Sequence, residues 1–196
     1  MIKTFDLLMY IFSVLPVVAS WGSLILVISH AENLYLQIIY LLAAPIYLVV
    51  TLSASVILLR LLMPKLKKGI YPVGVNKGYL SWYANLCLLR SMYISGLKPL
   101  IHSAYLFRFI FYKALGAKIS YDIHTSIHFE IVDAPLVSIG KNTIIQDNVK
   151  ISCHQLMKDK LILRPVRIED NCVLVSSTEV KAGSVIKSMR NNEESK

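Results

Sequence analysis

Ser138-Ile139-Gly140-Lys141-Asn142-Thr143-Ile144-Ile145-Gln146-Asp147-Asn148-Val149-Lys150-Ile151 places an aliphatic side chain at every sixth position: Ile139, Ile145 and Ile151. Past an interruption, Ile168, Leu174, Val180 and Ile186 keep the same step. Four residues after these positions stand Thr143, Val149, Gln155, Cys172, Thr178 and Ser184, most of them small. A half-buried strand alternates in twos and a helix in steps of about 3.6, so neither gives a strict period of six. A parallel β-helix built from hexapeptides does. The aliphatic residue points into a triangular prism, and stacked coils bury a continuous ladder.

Upstream, Ile119/Ile123, Thr125/Phe129 and Ile131/Pro135 are looser turns of the same pattern. The β-helix is therefore expected over residues 118–187, with about three coils. The interruption, 156–165, reads as an excursion loop with Lys158-Asp159-Lys160 at its tip. The polar tail, 188–196, is expected to be disordered.

The chain before the repeat is different. Phe5 to Ser29 holds no charge after Asp6, and Leu34 to Met63 is apolar until Arg60. Each is long enough for a bilayer of about 30 Å at about 1.5 Å per residue. A signal peptide has a shorter apolar core of about 7–15 residues and a cleavage site. Residues 1–68 thus read as a transmembrane hairpin with spans at about 5–29 and 34–63. Lys3 precedes the first span, the connecting His30-Ala31-Glu32-Asn33 has no Lys or Arg, and Lys65, Lys67 and Lys68 follow the second. The positive-inside rule puts both termini in the cytoplasm of a multi-pass inner-membrane protein.

Residues 69–117 connect the two parts. Gly69-Ile70-Tyr71-Pro72-Val73-Gly74 reads as turn chemistry. Helices are expected over Tyr79–Ser95 and Pro99–Leu115. A third span there would place His102, Arg108 and Lys113 in hydrocarbon, so helices lying in the interface cost less. The fold class is thus a membrane α + β protein: a helical hairpin, interfacial helices, then a short β-helix.

The net charge of +9 suits an anionic membrane surface or nucleic acid. The basic residues lie beside the apolar segments, interleaved with Trp82, Tyr83, Tyr93, Tyr105 and Phe109. That is the pattern of a headgroup anchor, and no nucleic-acid motif accompanies it. Three scattered cysteines, Cys87, Cys153 and Cys172, make neither a disulfide framework nor a zinc pair.

Hexapeptide repeats of this kind resemble the acyltransferases built on a left-handed β-helix. The likeness extends to Tyr71-Pro72 before an aromatic helix, Leu115-Gly116-Ala117-Lys118-Ile119, Leu136-Val137-Ser138-Ile139-Gly140, Cys153-His154, and Pro165-Val166-Arg167-Ile168-Glu169-Asp170-Asn171-Cys172. Together, roughly Tyr71–Met189, they resemble the membrane-linked acyltransferase-like units at the C-terminus of ε-polylysine-synthetase-type non-ribosomal peptide synthetases, which are bacterial. This chain departs by lacking Gly after most aliphatic positions: Gly140 fits, whereas Ser120, Gln146, Ser152, Glu169 and Val175 stand elsewhere.

The resemblance implies a membrane-bound acyl- or aminoacyltransferase. Its donor would be an acyl-CoA or a carrier-bound thioester, with no resident cofactor. Its acceptor would be a hydroxyl or amine of an envelope or lipid-linked molecule. A carrier protein or synthetase would supply the donor. A short prism with its base at an edge needs a neighbour to complete the cleft, so a homotrimer is expected, and the basic, aromatic flanks make membrane lipids expected partners. His154 stands at the position of the family's general base. Three residues past Ile151, it should point away from the prism. Imidazole ordinarily titrates at about 6.5, near the operating pH such a base needs. Cys153 could serve as a nucleophile, but a small buried thiol is the plainer reading. Arg164, Arg167, His128 and Lys181 are the candidates for holding a donor or substrate; for each, a solvated surface residue is the alternative. His124 and His128 with His154 could make a zinc site only with well-placed geometry, and no metal set is read from their spacing. Glu130 and Asp133 could orient a histidine or be solvated turn residues. A non-catalytic membrane-anchored scaffold is the alternative function, since the prism is short and its repeats degenerate.

Overall fold

A computed structural model describes residues 2–188. The tail from Met189 on, expected to be disordered, lies outside the described residues. The chain forms two compact units. The first comprises the chain up to Met63 together with Ala84–Leu115. The second comprises Pro64–Tyr83 together with the chain from Gly116 on.

In the first unit, α1 (Ile2–Ser29) and α2 (Leu34–Leu62) form an antiparallel pair. Asn33 starts α2 by accepting the Leu36 amide at 2.9 Å, which satisfies one of the free donors of a helix N-terminus. Both helices are long and apolar enough to cross a membrane. One face of α2 is buried at Val49, Leu52 and Val56, whereas Leu42, Leu61 and Leu62 are 77%, 77% and 82% exposed. Two hydroxyls within α2 are satisfied internally: Thr51 donates to the Tyr47 carbonyl at 2.9 Å and Ser55 to that of Thr51 at 2.8 Å.

The connecting helices are α3 (Lys77–Ile94), α4 (Lys98–Ser103) and α5 (Tyr105–Ala114). The early turns of α3 belong to the second unit and its later turns to the first. The helix expected over Pro99–Leu115 is broken at Ala104, which is extended (φ −125°, ψ 140°). Buried Arg108 explains the break: its Nη1 donates to the His102 carbonyl, which a continuous helix would have kept for its own backbone. Burial lowers the pKa of that guanidinium from its ordinary value. Arg60 at the end of α2 donates to the Ala114 carbonyl at 2.7 Å. A cation thus meets the negative end of α5. Trp21 donates its indole N–H to the Ser95 carbonyl at 3.2 Å. Leu88, Met92, Ile101, Phe111 and Tyr112 form the apolar interior.

In the second unit, β1 (Gly69–Pro72) is the first element. The repeat then supplies β2 (Lys118–Ile119), β3 (His124–Thr125), β4 (Glu130–Ile131), β5 (Val137–Ile139), β6 (Ile144–Ile145), β7 (Lys150–Ile151), β8 (His154–Leu156), β9 (Lys160–Leu163), β10 (Val166–Ile168), β11 (Val173–Leu174), β12 (Glu179–Val180) and β13 (Val185–Ile186). Three parallel sheets result, β2-β5-β10-β13, β3-β6-β11 and β4-β7-β12. Successive strands of the chain visit the three sheets in turn, as in a β-helix. The expected ladder is in register: Ile119, Ile139, Ile168 and Ile186 along one side, Thr125, Ile145 and Leu174 along the second, Ile131, Ile151 and Val180 along the third.

Paired residues are 20 apart between the first two coils (Ile131↔Ile151) and 29 apart between the next two (Ile151↔Val180). They are 18 apart at the end (Ile168↔Ile186). Three hexapeptides account for 18. The surplus residues all fall at one corner, after the third side and before the first. In the first coil they form the 3-10 turn Ala134–Leu136. In the second they form an antiparallel hairpin of β8 and β9. The segment expected as an excursion loop, 156–165, is therefore half strand. Gly69–Pro72, expected as a turn, is strand as well: it adds to the hairpin as β1-β9-β8, with Ile70 opposite Ile162. Neither segment shows a hexapeptide signature, because each pairs antiparallel.

Several corners turn without glycine. Asn142, Asn148, Asn171 and Ser177 carry the positive φ values at the corners, 51° to 61°, a conformation that asparagine tolerates. Asn142 donates its amide to Asn171 one coil on, at 3.3 Å. Gly140 is required by close approach, since a Cβ there would come 2.6 Å from the Asp170 backbone nitrogen.

Ile151 is fully buried in the middle coil. Ile151→Ala is expected to cost about 2–5 kcal/mol, the transfer energy of the lost methyls plus the cavity they leave. A lowered thermal midpoint in mild detergent is the measurement, with Ile144→Ala as the comparison because Ile144 faces out at 42% exposure.

Candidate active site

The uneven coils build the site. Ile131 pairs with Ile151, so the residue two past one lies over the residue two past the other. Asp133 accordingly accepts the Cys153 backbone N–H through Oδ2 at 2.8 Å. The same oxygen lies 2.7 Å from His154 Nδ1. The other oxygen, Oδ1, accepts the Trp82 indole N–H at 3.0 Å. Asp133 is 1% exposed, so the expectation of a solvated turn residue fails here. Its residues were pulled inward because three N–H donors replace the water it gives up.

These partners fix the imidazole. An indole N–H and a backbone N–H can only donate, so both carboxylate oxygens act as acceptors. Nδ1 must then carry the proton it shares with Oδ2, which leaves the Nε2 lone pair free. Ser152 Oγ stands 3.2 Å from Nδ1 and donates its own hydrogen to the His154 carbonyl. The Trp82 ring meets the imidazole edge-on, with centroids 5.1 Å apart and planes at 62°. The His154 side chain keeps 24% of its exposure, so it is oriented yet reachable.

Cys153 is not a nucleophile in this setting. Burial first, and Asp133 second, push its thiol up to about 12. The thiol therefore stays protonated across the physiological range, and only the thiolate attacks. Burial pushes Cys172 up as well. Because the folded chain holds these protons more tightly than the unfolded chain, the stability they confer is present below the ordinary thiol pKa and is lost as pH rises towards the folded value. Maleimide at pH 8 is expected to leave Cys153 and Cys172 unmodified in the native protein and to modify both after denaturation, which mass spectrometry reads directly.

The other sequence-derived candidates divide by corner. Arg164 N donates to the Cys153 carbonyl at 2.9 Å, and the Arg164 stem lies over Gly183, whose φ is +86°. Ser152 N donates to the Val180 carbonyl, so Lys181 follows directly one coil beyond. Arg164 and Lys181 thus share the corner of Asp133 and His154. Arg167 does not: it lines a cleft of about 450 Å³ with Ser138, Gly140, Asp170 and Asn171, which His154 does not line. His128 lies at yet another corner, exposed, with Nδ1 3.3 Å from Asp147. Hydrogen bonds from Ser126 and then His128 hold the Asp147 carboxyl below its ordinary value. His124 opens the second side of the coil. Among the described residues, no three His, Cys, Asp or Glu side chains gather in a metal-binding group.

Sequence reasoning missed two members, Trp82 and the buried state of Asp133. The clue to Asp133 was its position in an apolar run, Val132-Asp133-Ala134-Pro135, two residues past a ladder isoleucine. Trp82 gave none, because it reaches the site from a helix 51 residues away.

No protein-family model matches the sequence, and no curated protein matches it. Among solved structures, the chain has a distant likeness to a serine acetyltransferase of Neisseria gonorrhoeae crystallised with serine. The identity is 17% and the TM-score 0.23, over 55% of this chain and 49% of that one. The match therefore spans about half of that enzyme's length.

Proposed function

We propose that this chain is a membrane-bound acyl- or aminoacyltransferase of the left-handed β-helix type, with His154 as general base. The observation that carries the proposal is the imidazole held through Nδ1 by a buried carboxylate, with Nε2 left free. In this reading, Nε2 takes the proton of an acceptor hydroxyl or amine as that group attacks the thioester carbonyl carbon. Asp133 stabilises the imidazolium without itself taking the proton. The tetrahedral adduct collapses, the C–S bond breaks, and the imidazolium returns its proton to the departing thiolate. The products are an ester or amide and a free thiol.

The helices α1 and α2 are read as spans, with both termini in the cytoplasm. A catalyst held at the bilayer gains effective concentration towards a lipid-linked or envelope acceptor. The donor is read as acyl-CoA or a carrier-bound thioester, as the resemblance implies. Both carry phosphate, and Arg164 and Lys181 are the cations at the His154 corner to receive it.

The test is thiol release from acetyl-CoA and longer acyl-CoAs by the detergent-purified chain with a lipid extract as acceptor, beside His154→Ala. Release by the parent alone supports the proposal, and equal rates in both sink the assignment of His154.

A further inference from the structure

The β1-β9-β8 sheet has an outer end that the chemistry above does not use. At the hairpin tip, Leu156 and Met157 are 54% and 41% exposed. Val73, which follows β1, donates its amide to the Asp159 carbonyl at 2.9 Å, so it lies against the same tip at 40% exposure. Water does not favour three apolar side chains clustered on one loop end. Lys158 and Lys160 flank them. Asp159 is the single acid in this set. An apolar tip rimmed by lysines complements one kind of surface, an anionic lipid leaflet.

We propose that the hairpin tip is a membrane-contact surface, seating Leu156, Met157 and Val73 among the headgroups of an anionic leaflet while Lys158 and Lys160 meet lipid phosphates. The proposal rests on α1 and α2 being spans, and it narrows the acceptor class of the proposed transferase. His154 is three residues from Met157 along β8, about 10 Å. The tip therefore holds His154 at headgroup height, where the reacting hydroxyl or amine belongs to a lipid headgroup.

The experiment uses the full chain in phosphatidylcholine vesicles, with and without phosphatidylglycerol, and doxyl-labelled lipid as quencher. A nitrobenzoxadiazole dye is placed on Met157→Cys, on Glu179→Cys at the exposed face of β12, or on Leu42→Cys in α2. The native cysteines are buried and stay unlabelled. The expected result is several-fold stronger quenching at position 157 than at 179, increased by phosphatidylglycerol and reduced by Lys158→Glu with Lys160→Glu. Equal quenching at 157 and 179, or no effect of phosphatidylglycerol, overturns the contact. Quenching at 42 without quenching at 157 overturns it while leaving the spans standing. No quenching at 42 overturns the spans and this contact together. None of these readouts depends on activity, so a silent transfer assay does not bear on them.

Discussion

His154→Ala is expected to lower thiol release from an acyl thioester by about 10²–10⁴-fold, the usual contribution of a positioned general base. The fold should survive. The side chain is partly exposed, so its removal leaves no closed cavity, and Asp133 keeps the Cys153 and Trp82 donors. A structural role and a chemical one are separable here. Imidazole added to the buffer should restore part of the rate if the missing group is a base, and should do nothing if the variant has merely loosened the corner. Single-turnover release of thiol, with the thermal midpoint measured alongside, checks both. Parent-like release by the variant would remove His154 from the mechanism.

Asp133→Ala should damage both stability and rate. Its carboxylate satisfies the Cys153 amide, the Trp82 indole and His154 Nδ1. Cys153 is fully buried and Trp82 nearly so, so water cannot simply replace the lost acceptor. Leaving these two buried donors unsatisfied costs about 1–3 kcal/mol each. The imidazole also loses the group that selects its tautomer, and thiol release should fall by about 10²-fold or more. Asp133→Asn separates the two effects. It keeps the shape and one acceptor oxygen, but its amide now aims a donor at another donor. Rate should fall nearly as far while the thermal midpoint in detergent falls less. An Asp133→Ala protein as stable as the parent would mean the three hydrogen bonds do not form.

The repeat was legible because its ladder depends on one residue type at one spacing. Ile139, Ile145 and Ile151 report the prism whatever lies between them. The outward aim of His154 followed from the same count, three residues past a ladder position. Asp133 was a candidate for orienting a histidine beside Glu130, but its pairing with His154 was not legible. The coil between them has 20 residues rather than 18, and only the paired register shows that both surpluses share a corner. The strand β1 was hidden for another reason. Gly69 and Pro72 are turn formers, and their extended conformation is imposed by a hairpin far along the chain. The break at Ala104 likewise depends on a side chain, Arg108, competing for a helix carbonyl. A local pattern cannot report that competition.

That distant pairing has a consequence during synthesis. Ile70 leaves the ribosome 92 residues before Ile162, its partner. At about 5–20 residues per second, the strand waits roughly 5–18 s with an open edge. An open edge invites the wrong neighbour, such as another nascent chain. The local composition guards against this: Lys65, Lys67 and Lys68 repel a like strand, and Pro72 withholds one ladder donor. The lysines before β1 and Pro72 within it are thus expected to keep an early strand single until the hairpin that completes it has been made.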